Sequence, residues 1–171
     1  MKTNGSRKGV GRQNTGSDFQ KMLEAVFEGY EKRGIARLRK VEMPVKVFGP
    51  PQKRKVVFLE NPWLDYAGTW TEIGGRMLII EAKSTESKRL EIGEGGITAN
   101  QMKNLQGWAR AGAATSIVWH HRGDVRVITA ATIRAAAMMD AKSFAWDHLQ
   151  PTPKGEGWII WDVLQVMASR A

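Results

Sequence analysis

Three residues of this sequence have types and spacing suited to hydrolysing a phosphodiester: Asp65, Glu81 and Lys83. Glu81 and Lys83 close the run Met77-Leu78-Ile79-Ile80-Glu81-Ala82-Lys83, and strand side chains at i and i+2 lie on one face, so the two must point the same way. Asp65 lies in the preceding strand-like run, roughly 63–70, which a Glu-Ile-Gly-Gly turn joins to the second run, roughly 76–83. Neighbouring strands of this kind can bring both carboxylates to one place. Two carboxylates suit Mg2+, with Mn2+ as a substitute, and such an ion polarises a phosphate and lowers the pKa of an attacking water. Lys83 adds positive charge beside that water or the transition state. A Glu-x-Lys triplet alone is commonly an ordinary surface feature. Here Glu81 ends an apolar run, where a charge is costly unless it is exposed at the strand end or paired with a cation or metal.

Other polar residues have plainer roles open to them. Gln101 shares a helical face with Leu105, Trp108 and Gly112, so it belongs to a buried side or its edge and needs a partner, either this site or a backbone group. His120 and His121 are adjacent on a strand and point to opposite faces, so they cannot chelate one metal. Trp108, Trp119 and Trp161 sit in apolar patterns and read as core, whereas Trp63 and Trp70, flanking the Asp65 strand, are the better candidates for base or dimer contacts.

The elements that must hold these residues follow from patterning. Residues 1–16 contain Lys2, Arg7, Lys8 and Arg12 and no acidic residue, the composition of a basic arm; residues 17–171 then form one nuclease-sized domain. Phe19, Leu23, Val26, Phe27 and Tyr30 make a helical stripe, with Ser17 or Asp18 as cap and Gly34 as terminator. Residues 35–48 read as extended, with a bend or an edge at Pro44. Near 45–60, a Gly-Pro-Pro turn followed by Lys53, Arg54 and Lys55 predicts a projecting basic hairpin. The continuously apolar Met77–Ile80 run predicts a central strand covered on both faces. A polar loop over 84–97, a helix over 98–111, paired strands over 116–121 and 125–129, an Ala-rich helix near 130–141 and an amphipathic segment over 158–167 complete an α/β sandwich, a mixed sheet with helices packed on it.

Composition narrows the partners. The chain has 171 residues, 26 Lys and Arg against 17 Asp and Glu, and a formal charge of +9, which favours a polyanion and nucleic acid first. There is no cysteine, so disulfides, thiolate zinc sites and cysteine nucleophiles are excluded. Neither a membrane span nor a secretory signal is visible, and a cytoplasmic protein is the expectation.

Taken together, Gly16-x-x-Phe19 opening a long helix, Gly34-Ile35-Ala36, Asp65-Tyr66-x-Gly68, Glu81-Ala82-Lys83-Ser84-Thr85, and Gln101 before a strand pair resemble the RecU-type Holliday junction resolvases of bacteria and phages. The Glu-x-Lys-Ser-Thr core is also similar to the archaeal Hjc-type resolvases. The resemblance runs from about Gly16 to about Thr132. It implies a restriction-endonuclease-like, PD-(D/E)xK fold, a homodimer, and magnesium-dependent nicking of branched, four-way DNA. It also implies that Asp65 and Glu81 bind metal, that Lys83 assists catalysis and that Gln101 lines the site. The chain departs from the family pattern twice. Many members carry a Glu on the first helix where this chain has Gln20; Glu24, one turn on, lies on nearly the same face and is the substitute candidate beside its plainer reading as a solvated residue. The segment that forms a stalk entering the junction also looks shorter here. Arg7, Lys8, Arg12, Lys53, Arg54 and Lys55 are the candidate DNA contacts. A nuclease of this fold acting on other DNA, restriction-like or recombinational, and a non-cleaving DNA-binding protein are the alternatives.

Overall fold

The computed structural model describes residues 15–42, 45–58, 64–155 and 162–168. The basic residues Arg7, Lys8 and Arg12, the bend at Pro44, and Trp63, Trp158 and Trp161 lie outside the described residues.

Helix α1 (Thr15–Lys32) buries Phe19, Leu23, Val26, Phe27 and Tyr30 on one face, as the i, i+4, i+7 stripe requires. It begins at Thr15, so Ser17 and Asp18 occupy its first turn and do not cap it. Gly34 ends it with φ 70°, and the Ile35 N–H returns to the Tyr30 carbonyl at 2.9 Å, a closure that needs a left-handed residue.

Six strands follow: β1 (Ala36–Lys40), β2 (Val45–Phe48), β3 (Lys55–Phe58), β4 (Tyr66–Trp70), β5 (Arg76–Ser84) and β6 (Arg89–Glu91). Beyond them lie α2 (Ala99–Arg110), β7 (Ala114–His121), β8 (Asp124–Thr129), α3 (Ala130–Met138), β9 (Ser143–Ala145) and α4 (Val163–Ala168). The main sheet has the order β1-β4-β5-β7-β8. Within it only β5 and β7 are parallel, because α2 carries the chain over the sheet between them, whereas short turns join β4 to β5 and β7 to β8.

One core lies between the sheet and α1 with α4; the other lies between the sheet and α2 with α3. Leu78, Ile79 and Ile80 are each fully buried, so β5 is covered on both faces. The Tyr30 hydroxyl donates to Asp162, and Asp162 in turn accepts from the Gln165 N–H, which ties α4 to α1.

The structure revises several sequence boundaries. The polar segment 84–97 contains β6, which pairs antiparallel with β9 more than fifty residues away. Helix α2 ends at Arg110, and Gly112 lies past it with φ 94°, so Gly112 does not share the Gln101 face. Trp70 is buried, facing the α1 core, and is therefore not available for base or dimer contacts. Among the described residues, strands β2 and β3 pair only with one another, and a 3-10 turn over Pro51–Lys53 joins them. Lys53, Arg54 and Lys55 at this tip are exposed.

Candidate active site

Strand β5 delivers two of the site residues. Its residues Ile79, Glu81 and Lys83 alternate toward the α2 side, while Leu78 and Ile80 face α1. Glu81 is 1% exposed, and its Oε1 is 2.9 Å from Lys83 Nζ. The same oxygen accepts from Gln101 Nε2 at 2.5 Å. The other carboxylate oxygen, Oε2, is buried and has no hydrogen-bond partner.

Asp65 sits at the bend just before β4, half-buried. Its Oδ2 accepts the backbone N–H of Ala82 at 2.9 Å. This hydrogen bond pins the Asp65 carboxylate beside the Glu81 strand, so the two acids feel one another. The Glu81 carboxyl is pushed up to about 7, first by burial and then by the Asp65 charge, with the Lys83 ammonium pulling the other way.

Gln101 reaches Glu81 from the first turn of α2. Thr98 caps that helix, accepting from the Gln101 N–H through Oγ1 at 3.2 Å, while Gln101 Oε1 accepts from the Thr98 N–H at 3.0 Å. Thr98 is a residue that the sequence reading misses. The Thr-x-x-Gln spacing of a capping box is the signal that could have found it.

Glu24 takes a different position. Its carboxylate accepts from the Tyr66 hydroxyl at 3.4 Å, and it lines a groove of about 730 Å³ with Phe27, Leu38 and Tyr66. Burial, then the Glu24 and Asp65 charges, raise the Tyr66 phenol above its usual value. The structure thus unites Asp65, Glu81, Lys83 and Gln101, while setting Glu24 against Tyr66. Gln20 accepts from Lys40 Nζ at 3.0 Å.

The two histidines diverge as adjacent strand residues do. His120 stacks on Phe19 at 4.9 Å and shares a hydrogen bond with Ser84 Oγ; burial lowers its pKa. His121 is buried against Trp146 and meets the Thr85 carbonyl.

The donor set fits a small divalent cation. An unpartnered buried carboxylate oxygen on Glu81, beside a second carboxylate, is the kind of oxygen a hard cation takes. Among the described residues no group of three or more His, Cys, Asp or Glu side chains could hold an ion. Two carboxylates with the remaining positions left to water and phosphate oxygens is the usual pattern for magnesium.

Residues 14–152 match the family described as RecU, Recombination protein U. The comparison with curated proteins gave no match. Among solved structures, the chain is similar to Hjc of Archaeoglobus fulgidus, a Holliday junction resolvase from an archaeal hyperthermophile. That likeness has 17% identity and a TM-score of 0.44, and covers 69% of this chain and 75% of that one. It is also similar to the protein SSO0001, at 15% identity and a TM-score of 0.36, over 73% of this chain and 59% of that one.

Proposed function

The chain belongs to the RecU family of Holliday junction resolvases, and from that membership we propose that it cuts four-way DNA junctions as a magnesium-dependent, homodimeric endonuclease centred on Asp65, Glu81 and Lys83. The observation that supports this most is the state of Glu81. It is a buried carboxylate with one oxygen held by Lys83 and Gln101 and the other without a partner. A carboxylate serving only the fold would gain by satisfying both oxygens.

Asp65 and Glu81 would hold the cation, with Mn2+ as a substitute for Mg2+. When bound, such an ion supplies Lewis-acid polarisation of the scissile phosphate and neutralises charge between the two acids. The remaining work falls to the chain. The Ala82 N–H fixes Asp65 in place. Gln101 and Lys83 together fix Glu81 Oε1. The Lys83 side chain, 23% exposed, keeps its ammonium at the edge of the site, where it stabilises negative charge growing on the phosphate oxygens as water adds and the sugar oxygen leaves.

One protomer carries a single Asp65–Glu81–Lys83 set, and symmetric resolution needs two incisions. A twofold homodimer supplies two identical sites to a substrate with near-twofold symmetry. Lys53, Arg54 and Lys55 on the hairpin, with Arg7, Lys8 and Arg12 of the arm, would grip backbone phosphates. No described helix is long and apolar enough to cross a membrane, and action on DNA fits a cytoplasmic setting. The test is cleavage of a labelled four-way junction with and without Mg2+, beside linear duplex and single strands. Paired nicks in opposed strands of the junction support the reading, and equal cutting of duplex would leave only a general nuclease.

A further inference from the structure

The amide of Gln101 could in principle face Glu81 with either end, and only one end helps. Turned one way, its NH2 donates to the carboxylate. Turned the other, its oxygen would repel it. The orientation follows from what surrounds the opposite end. The backbone N–H of Thr98 can only donate, so the Gln101 atom 3.0 Å from it must be the oxygen. Thr98 Oγ1 approaches the same oxygen at 3.3 Å and accepts the Gln101 N–H at 3.2 Å. With its acceptor capacity taken by Thr98, Gln101 has its NH2 left for Glu81 Oε1, 2.5 Å away.

We propose that Thr98 is a positioning residue for the cation site: its hydroxyl and N–H lock the Gln101 amide so that Gln101 donates to Glu81 Oε1 and leaves Oε2 for the ion. The inference rests on the Asp65–Glu81 reading above. It assigns Gln101 a role as donor to a ligand, not as a ligand itself, and it extends the site to a residue that touches neither phosphate nor cation. The start of α2 is thereby coupled to the metal carboxylate. Outer hydrogen bonds of this kind typically change metal affinity or activity by about 10- to 100-fold.

Three substitutions separate orientation from capping. Thr98→Ser keeps both the acceptor and the O–H donor. Thr98→Val loses both. Thr98→Asp remains a good helix cap, but an ionised carboxylate has no hydrogen to donate, and it attracts the NH2 end of Gln101 in place of the oxygen. Each variant is compared with wild type in three ways: Mn2+ affinity by calorimetry without DNA, melting temperature, and Mg2+ dependence of junction cleavage. The expected result is that Thr98→Ser matches wild type. Thr98→Asp should keep the wild-type melting temperature while its Mn2+ affinity falls about tenfold or more, with the Mg2+ requirement for cleavage rising in step. Thr98→Val should lose metal affinity as well, with a lower melting temperature. If Thr98→Asp binds Mn2+ as tightly as wild type or tighter, the Thr98 hydroxyl does not orient Gln101, its side chain serves only as a cap, and the proposal is overturned. If wild type itself binds no Mn2+ and cuts no junction, the underlying metal-site reading has failed instead.

Discussion

Asp65 stands opposite Glu81 across the central hairpin. The β4–β5 register pairs Tyr66 with Ile80, and one further step places Asp65 against Glu81, where the Ala82 N–H holds its carboxylate. Directly opposed residues on antiparallel strands share a face, so register alone gathers the two acids. A slip of one residue would send Asp65 to the other face. The turn at Gly74 and Gly75, with φ 73° and 75°, helps to set that register, since residues with a Cβ are strained there.

Gly68 guards the same register from the other side. A Cβ at this position would lie 1.9 Å from the Arg37 carbonyl oxygen of β1, a backbone atom that cannot turn away. Gly68→Ala should therefore destabilise the protein by about 3 kcal/mol or more and depress activity through the fold. Thermal or urea unfolding checks this; a melting temperature within a degree or so of wild type would mean that the β1–β4 pair has slack that the structure does not show.

The Glu81 carboxyl gives a pH signature. Its value is raised from 4.5 to about 7, by burial first and by Asp65 second. A raised folded value means that the fold favours the protonated form. The stability it contributes is fully present below 4.5 and is lost as pH rises through about 7. In the chelated protein, melting temperature should show a fall across that window that Glu81→Gln flattens. Cation binding needs the ionised acid, so the Mg2+ concentration for half-maximal cleavage should drop as pH climbs through the same range. A wild-type profile parallel to that of Glu81→Gln would show that Glu81 titrates normally.

Glu24 and Gln20 offer a sharper contrast. Gln20 is engaged with Lys40, whereas Glu24 meets the hydroxyl of Tyr66, the residue that follows Asp65 in the chain. Gln20→Glu should change cleavage little. Glu24→Gln should lower it by about tenfold, the small end of the effect of an outer hydrogen bond on a metal site. Wild-type rates for Glu24→Gln would return this residue to a solvated helix flank.

The basic groups are tested by salt. Neutralising Lys53, Arg54 and Lys55, or Arg7, Lys8 and Arg12, should weaken junction binding and flatten the plot of log affinity against log salt by about 0.9 for each phosphate that is no longer neutralised. Anisotropy titrations at several salt concentrations measure the slope. An unchanged slope would make these charges bystanders.

Much of the fold is legible because it is written in local periodicity. The α1 stripe, the apolar β5 run and the alternation of Glu81 and Lys83 follow from periods of 3.6 and 2. Pairing between distant segments leaves no such mark, so β6 reads as part of a loop and β9 leaves no sign at all. Trp70 misleads because flanking Asp65 in sequence says nothing about which face a side chain takes; it shares a face with Tyr66 and Gly68, toward α1. The helical face of Gln101 places it near the site, but the Thr98 bond that orients it belongs to cap chemistry, which periodicity does not carry.

The central claim is that Asp65 and Glu81 together hold the ion that cuts a branched junction. Purified wild type, Asp65→Asn and Glu81→Gln should be compared on a labelled four-way junction and its linear duplex in Mg2+, with the oligomeric state read by light scattering. The account predicts a dimeric wild type that nicks opposed strands of the junction in preference to duplex. Both variants should bind the junction as well as or better than wild type, because a negative charge near the phosphates is gone, while cleaving it more than about 100-fold more slowly, beyond the loss of a supporting hydrogen bond. Full cleavage by either variant, or a monomer cutting duplex as fast as junction, would contradict it.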